Sequence, residues 1–367
     1  MSNIVLRSAA KTTVELDSRS VLYFGGTNYF GMSYNRDVIL TAQEGLIRWG
    51  ISSAGSRETT GSAAPHVALE EALAGFLERE EVVSYCSGYS INLVVLQALR
   101  GVYDICLVDA GAHCSVKDAV TGSAMPSVTF EHRSAEDLAA KLRQHCASGE
   151  KPVVCTDGVY SSGALAPMAE YREAALSCGG AVMMDDAHGV GVLGETGKGT
   201  LEYLGVEAEG VYQTGTLSKA FGCFGGFVAG DAPISQLIRS GSPAYVGATP
   251  LPPAFAGAAM ASIDIVCKNP ELRSSLRKNT ARMKSGLRAL GIDFEDGPTP
   301  IAIFVLGDRK FNERIHQQLL ERDILVPYNF YPGGPEDGFF RMVVTAAHSF
   351  KQIDRVLDAL GELISGI

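Results

Sequence analysis

No uninterrupted apolar run of about 18 residues, the length a membrane-crossing helix needs, occurs in the 367-residue chain. The first residues, Met1-Ser-Asn-Ile-Val-Leu-Arg-Ser-Ala-Ala-Lys11, lack the long apolar core of a secretory signal. A cytoplasmic protein without a membrane partner is expected. A basic surplus is missing too: 31 Lys and Arg stand against 41 Asp and Glu, for a formal net charge of −10, and the cations are scattered. No positive field exists to attract a phosphate backbone, so nucleic-acid binding is not expected. Cys-x-x-Cys pairs are absent, and the eight cysteines at 86, 106, 114, 146, 155, 178, 223 and 267 are widely spaced. They read as small core fillers in a reducing compartment, with neither a zinc site nor a disulfide framework. Internal repeats and low-complexity tracts are lacking as well.

What is there is apolar material for a large core: 46% of residues are hydrophobic and 20% charged, in a chain long enough for two domains or more. Short β-rich runs at 82–86, 105–108, 153–155, 181–184, 211–212 and 226–229 alternate with helical patterns at 66–77, 90–99, 135–146 and 168–176. Several of the strands are apolar throughout, as in a sheet covered on both faces, and the alternation predicts an α/β fold with a mainly parallel sheet. After Pro250-Leu-Pro-Pro253 the pattern changes to long helices, 254–266 and 270–290. A smaller α+β segment follows, with strands near 301–305 and 340–344 and helices near 309–322 and 351–363. The expected division is an N-terminal segment 1–37, a large domain 38–268 and a small C-terminal α+β domain 269–367.

Ligands of open parallel sheets gather at the carboxyl ends of the strands. Asp185 ends one predicted strand, Asp157 another, and Lys219 follows a third. Cys86-Ser87-Gly88-Tyr89 ends a strand and opens a helix, so its backbone amides face an anion at the positive helix end. Lys219 in Thr214-Gly-Thr-Leu-Ser-Lys219-Ala-Phe-Gly is an amine bracketed by small residues, able to form a Schiff base with an aldehyde. Alone it is an ordinary loop lysine, and Asp185-Asp-Ala-His188 alone is a helix cap or a partial metal site. In this order they supply an amine, a carboxylate and an imidazole suited to pyridoxal phosphate. His66, His132, His145, His316 and His348 read as structural or solvated.

On these segments the chain resembles the α-oxoamine synthases of the fold-type I pyridoxal-phosphate enzymes. The likeness runs from Thr27-Asn-Tyr-Phe-Gly31 through Gly55-Ser-Arg-Glu-Thr-Thr-Gly61, Ser87-Gly-Tyr89, Asp185-Asp-Ala-His-Gly-Val-Gly191 and Lys219 to Arg341-Met-Val-Val-Thr-Ala-Ala-His348. Where relatives often have Glu-Gly-x-x-Ser-Met, this chain has a shorter segment, Asp157-Gly-Val-Tyr-Ser161-Ser, with Asp for Glu. The resemblance implies a fold-type I transferase that condenses an amino acid with an acyl thioester, carried by coenzyme A or a carrier protein, and releases carbon dioxide. The alternative is an aminotransferase, racemase, decarboxylase or lyase on the same fold. Many aminotransferases carry an arginine eight positions after the lysine, and Phe227 stands there instead. A non-catalytic partner subunit is a third reading, against which stand Lys219 and Asp185.

The resemblance also implies roles. Lys219 holds the cofactor and moves protons at the substrate Cα; Asp185 pairs with the ring nitrogen and keeps it protonated. His188 bonds the phenolic oxygen, and His113 stacks on the ring. Ser87, Gly88, Tyr89, Ser161 and Thr216 meet the phosphate or the cofactor edge. Thr249 reaches the phosphate from a neighbouring subunit, which implies a homodimer with shared active sites. Asn28 meets substrate, and Arg341 grips the amino-acid carboxylate with its planar fork.

Overall fold

The computed structural model describes residues 4–331 and 334–365. They divide into two compact units, the larger formed by Arg36–Ser161 and Leu165–Lys268. Among the described residues no helix is long and apolar enough to cross a membrane.

The larger unit is built on a seven-stranded sheet in the order Glu81–Tyr85, Gly226–Gly230, Val211–Thr216, Ala181–Asp185, Pro152–Asp157, Ile105–Asp109, Ser127–Phe130. All pairings are parallel except those of Gly226–Gly230, which runs antiparallel to both neighbours. The α/β, fold-type I architecture read from the sequence is the one observed. Pro152–Asp157 and Ala181–Asp185 are buried at every position, which explains their continuous apolar runs: helices cover both faces of the sheet. Ile91, Val94, Val95 and Leu99 of the Ile91–Leu99 helix pack on Val83, Val108, Val153 and Met183 of the strands. Each such burial contributes roughly 1.5–3 kcal/mol. Parallel register sets Asp157 beside Asp185 and Asp185 beside Thr214 at the carboxyl edge of the sheet.

Two elements of this unit depart from the sequence reading. The strand Ser127–Phe130 and the helix Cys114–Ser123 were not among the expected elements; the helix carries polar Ser, Lys, Asp and Thr at positions that blur an apolar stripe. The cysteines also require a correction. Cys146 and Cys178 form a disulfide rather than filling a core, with Cα atoms 5.8 Å apart. Cys146 ends the Ala135–Cys146 helix and Cys178 caps Met168–Ser177; these neighbouring crossover helices pack together and bring two thiols 32 residues apart into bonding range.

The smaller unit comprises described residues up to Asn35, the short stretch Ser162–Ala164, and the chain from Asn269 onward. Thr13–Leu16 and Arg19–Tyr23 form an antiparallel hairpin, joined in parallel by Ile324–Leu325. Ile301–Phe304 and Tyr328–Asn329 flank Phe339–Val343 in a second sheet. The helices Pro270–Ala289, Arg309–Glu321 and Phe350–Ser365 bury Met283, Leu287, Ile315, Ile353 and Leu360 against Phe304, Phe340 and Met342.

Candidate active site

Asp185 is the last residue of a fully buried strand, so its carboxylate must find donors inside the protein. Oδ2 receives the amide of Asn92 at 2.8 Å and the hydroxyl of Ser115 at 3.3 Å; Oδ1 receives the backbone N–H of Ala187 at 3.0 Å. Asn92 is itself held by Thr214, whose Oγ1 donates to its Oδ1 at 2.6 Å. Asp185 is thereby fixed in orientation from a helix, a loop and the adjacent strand.

It opens on a cavity of about 200 Å³ that is also lined by Lys219, His188, His113, Gly88, Tyr89, Ser161 and Thr216. Lys219 lies in the loop after Val211–Thr216. That loop is closed on itself by Leu217 N–H to Gly225 O at 2.9 Å, Cys223 N–H to Leu217 O at 2.8 Å and Gly222 N–H to Lys219 O at 3.1 Å. Gly88 has a steric reason: a Cβ there would come within 2.5 Å of Thr216 Oγ1. Without one, the turn rests on the hydroxyls of Thr216 and Ser218, which bond each other at 2.8 Å. Ser87 sits behind this surface and accepts the backbone N–H of Tyr89 at 3.2 Å.

His113 caps the Cys114–Ser123 helix, its Nδ1 accepting the Ser115 N–H at 3.2 Å. Burial pushes its pKa down, the Asp185 carboxylate opposes and the Lys219 amine reinforces; the net shift is downward. A neutral, flat imidazole therefore faces the cavity at neutral pH, edge-to-face with Tyr89 at 6.1 Å. Tyr89 in turn donates to the carboxylate of Asp118, and that bond above all raises its own pKa.

The loops bearing these groups share two buried carboxylates. Asp109 accepts from Tyr160 at 2.6 Å, Tyr171 at 3.0 Å, His132 at 2.7 Å, and the N–H groups of Gly111 and Arg133 at 2.7 and 3.1 Å. It thus ties the loop before His113 to the one ending at Ser161. Asp186 accepts from Thr200 Oγ1 at 2.5 Å, Thr200 N–H at 2.9 Å and Gln213 at 2.8 Å, closing the loop beyond His188.

Thr249 is exposed and is not among the residues lining the cavity. Asn28 and Arg341 belong to the smaller unit. There Asn28 donates to Ser33 at 2.8 Å, and Arg341 stands by Tyr29, a phenol that burial pushes up to about 12 against the pull of that guanidinium. Phe227 is fully buried in its strand, so no cation occupies the position where many aminotransferases place one. Asn92 and Ser115 escaped the sequence reading. A lone fully buried amide inside the apolar helix Ile-Asn-Leu-Val-Val-Leu-Gln-Ala-Leu was the available signal.

The family aminotransferase class I and II matches residues 21–360. An 8-amino-7-oxononanoate synthase of Thioalkalivibrio sulfidiphilus is 37% identical over 354 residues, 96% of this chain and 90% of that protein. A serine palmitoyltransferase of Caulobacter vibrioides is 33% identical over 95% of this chain and 87% of its own. The solved serine palmitoyltransferase of Sphingomonas wittichii superposes with a TM-score of 0.93 at 31% identity, over 99% of this chain and 92% of that one. The chain belongs to the α-oxoamine synthases. This α-oxoamine synthase is a pyridoxal-phosphate-dependent enzyme, and the serine palmitoyltransferase of S. paucimobilis, 28% identical with a TM-score of 0.92, was solved with pyridoxal phosphate bound. The residues present fit that group. An amine, a donor-held carboxylate and a neutral imidazole line one cavity, and the Gly88 turn is a cradle that any side chain would fill.

Proposed function

We propose that this α-oxoamine synthase condenses a small amino acid with an acyl thioester, losing carbon dioxide and the thiol, to give an α-amino ketone. The observation that carries the reading is that Lys219 and Asp185 line one cavity at the carboxyl edge of the sheet. Bound pyridoxal phosphate supplies an electron sink for the charge left at the amino-acid Cα. Asp185 holds a proton on the ring nitrogen, with Asn92 and Ser115 keeping the carboxylate aimed. Lys219 holds the group and takes the Cα proton at Nζ. The neutral ring of His113 covers one face and excludes water, and His188 donates to the phenolic oxygen. Ser87, Gly88, Tyr89, Ser161 and Thr216 meet the phosphate or the cofactor edge. Arg341 receives the carboxylate of the amino acid with its two-pronged donor set, with Asn28 as a further substrate contact.

The protein works in the cytoplasm as a homodimer in which Thr249 completes the phosphate site of the neighbouring copy. Ile39, Leu40, Ile47 and Ile51, the last two 89% and 81% exposed, leave an apolar patch on the larger unit in support of this. Its functional division is an N-terminal segment 1–37, a cofactor domain 38–268 and a small domain 269–367. The test supplies each amino acid with a series of acyl thioesters and follows free thiol and carbon dioxide together. Equimolar release supports condensation, whereas a keto acid with no thiol would establish a transaminase.

A further inference from the structure

Asp157 ends the strand next to Asp185 and stands in register with it, and both line the cavity. Their side chains are 4% and 5% exposed. Two neighbouring carboxyl groups in so dry a place do not both ionise without heavy cost, and hydrogen bonding decides which keeps the charge. Asp185 has three donors: Asn92, Ser115 and the Ala187 N–H. Asp157 has one, the backbone N–H of His113 at 2.8 Å. We propose that Asp157 keeps its proton and acts as a hydrogen-bond donor at the cavity floor, leaving the charge undivided on Asp185.

The same unit contains an internal comparison. Asp109 is as deeply buried, and burial pushes it up, but bonds from Tyr160, His132 and the Arg133 and Gly111 N–H groups outweigh this and hold it low. With a single N–H in place of that set, Asp157 is pushed up. Burial contributes most, the Asp185 charge next, and the His113 N–H and the Lys219 amine oppose without winning; Asp109 adds to the rise. These are the groups facing it: Asp185 and Asp109 from the strands on either side, His113 and Lys219 from the loops above.

The consequence for chemistry rests on the proposed function. A neutral Asp157 offers an O–H to an acceptor in the cavity and does not compete with Asp185 for the cationic ring. A second carboxylate there would compete. Residence of the proton itself is a property of the chain and is testable without cofactor.

The experiment is infrared spectroscopy of the C=O stretch of un-ionised carboxyl groups in D₂O, with and without added pyridoxal phosphate. Asp186 is pushed up to about 7, mainly by burial, so the spectrum is taken at about pH 9, where Asp186 has ionised. Wild-type protein is expected to retain a carboxyl band there that Asp157→Asn abolishes and Asp186→Asn leaves. If Asp157→Asn does not fold, carbon-13 aspartate labelling of Asp186→Asn must shift the band. Absence of the band at this pH overturns the proposal.

Pyridoxal-phosphate affinity provides the second readout. Asp157→Asn, neutral and able to donate, stays within about threefold of wild type, whereas Asp157→Ala loses about tenfold, the scale of one buried hydrogen bond. Equal losses in both variants contradict the donor role. Failure of the wild-type protein to take up pyridoxal phosphate would sink the proposed function, while the band in cofactor-free protein would still locate the proton.

Discussion

Asn92 is the residue on which the orientation of Asp185 most depends, since it alone bridges that carboxylate and the Thr214 hydroxyl. Asn92→Leu strands both partners in the core and is expected to cost about 1–3 kcal/mol, read as a lowered urea midpoint, with weakened pyridoxal-phosphate binding beside it. His348 sets a pH dependence of stability. Burial pushes it down to about 4, against its bonds to Tyr23 and Thr345. A depressed histidine contributes stability that is present above its unfolded pKa near 6.5 and lost as pH falls toward the folded value. The thermal midpoint is expected to fall between about pH 6.5 and 4, and less steeply in His348→Leu. At this scale the sequence was legible where chemistry and small residues coincide at strand ends, as with Lys219, Asp185 and His188. Asn92 and Ser115 were not, because only tertiary packing carries a helix amide to a strand carboxylate.

Among elements, the central strands were readable from apolar runs that burial on both faces demands, and Ile105–Asp109 and Ala181–Asp185 begin where the runs begin. The Thr13–Leu16 and Arg19–Tyr23 hairpin was not. Its turn is Asp17-Ser18, both at positive φ, without the Asn or Gly that signals such a turn. The disulfide was equally hidden, since its cysteines end two separate helices. Joining residues 32 apart in sequence, it is expected to stabilise the fold by roughly 3–4 kcal/mol through the unfolded chain. Thiol titration of denatured, unreduced protein should find six free cysteines and, after reduction, eight. Finding eight before reduction contradicts the bridge; reduction of the native protein should lower its denaturation midpoint.

For the whole molecule, the apolar patch at Ile39, Leu40, Ile47 and Ile51 is the surface most at odds with a chain of net charge −10. Ile47→Asp with Ile51→Asp is expected to shift sedimentation from dimer to monomer and, by removing the partner's Thr249 from each site, to weaken pyridoxal-phosphate binding. A dimer unchanged by both charges would place the interface elsewhere. The central claim, that Lys219 is the amine that holds pyridoxal phosphate above the Asp185 carboxylate, is tested most directly by borohydride reduction of the loaded protein and peptide mass mapping. The mass of one pyridoxyl phosphate fixed on Lys219, and none on Lys219→Ala, is the predicted result; a fixed label on another lysine, or no label at all, would contradict it.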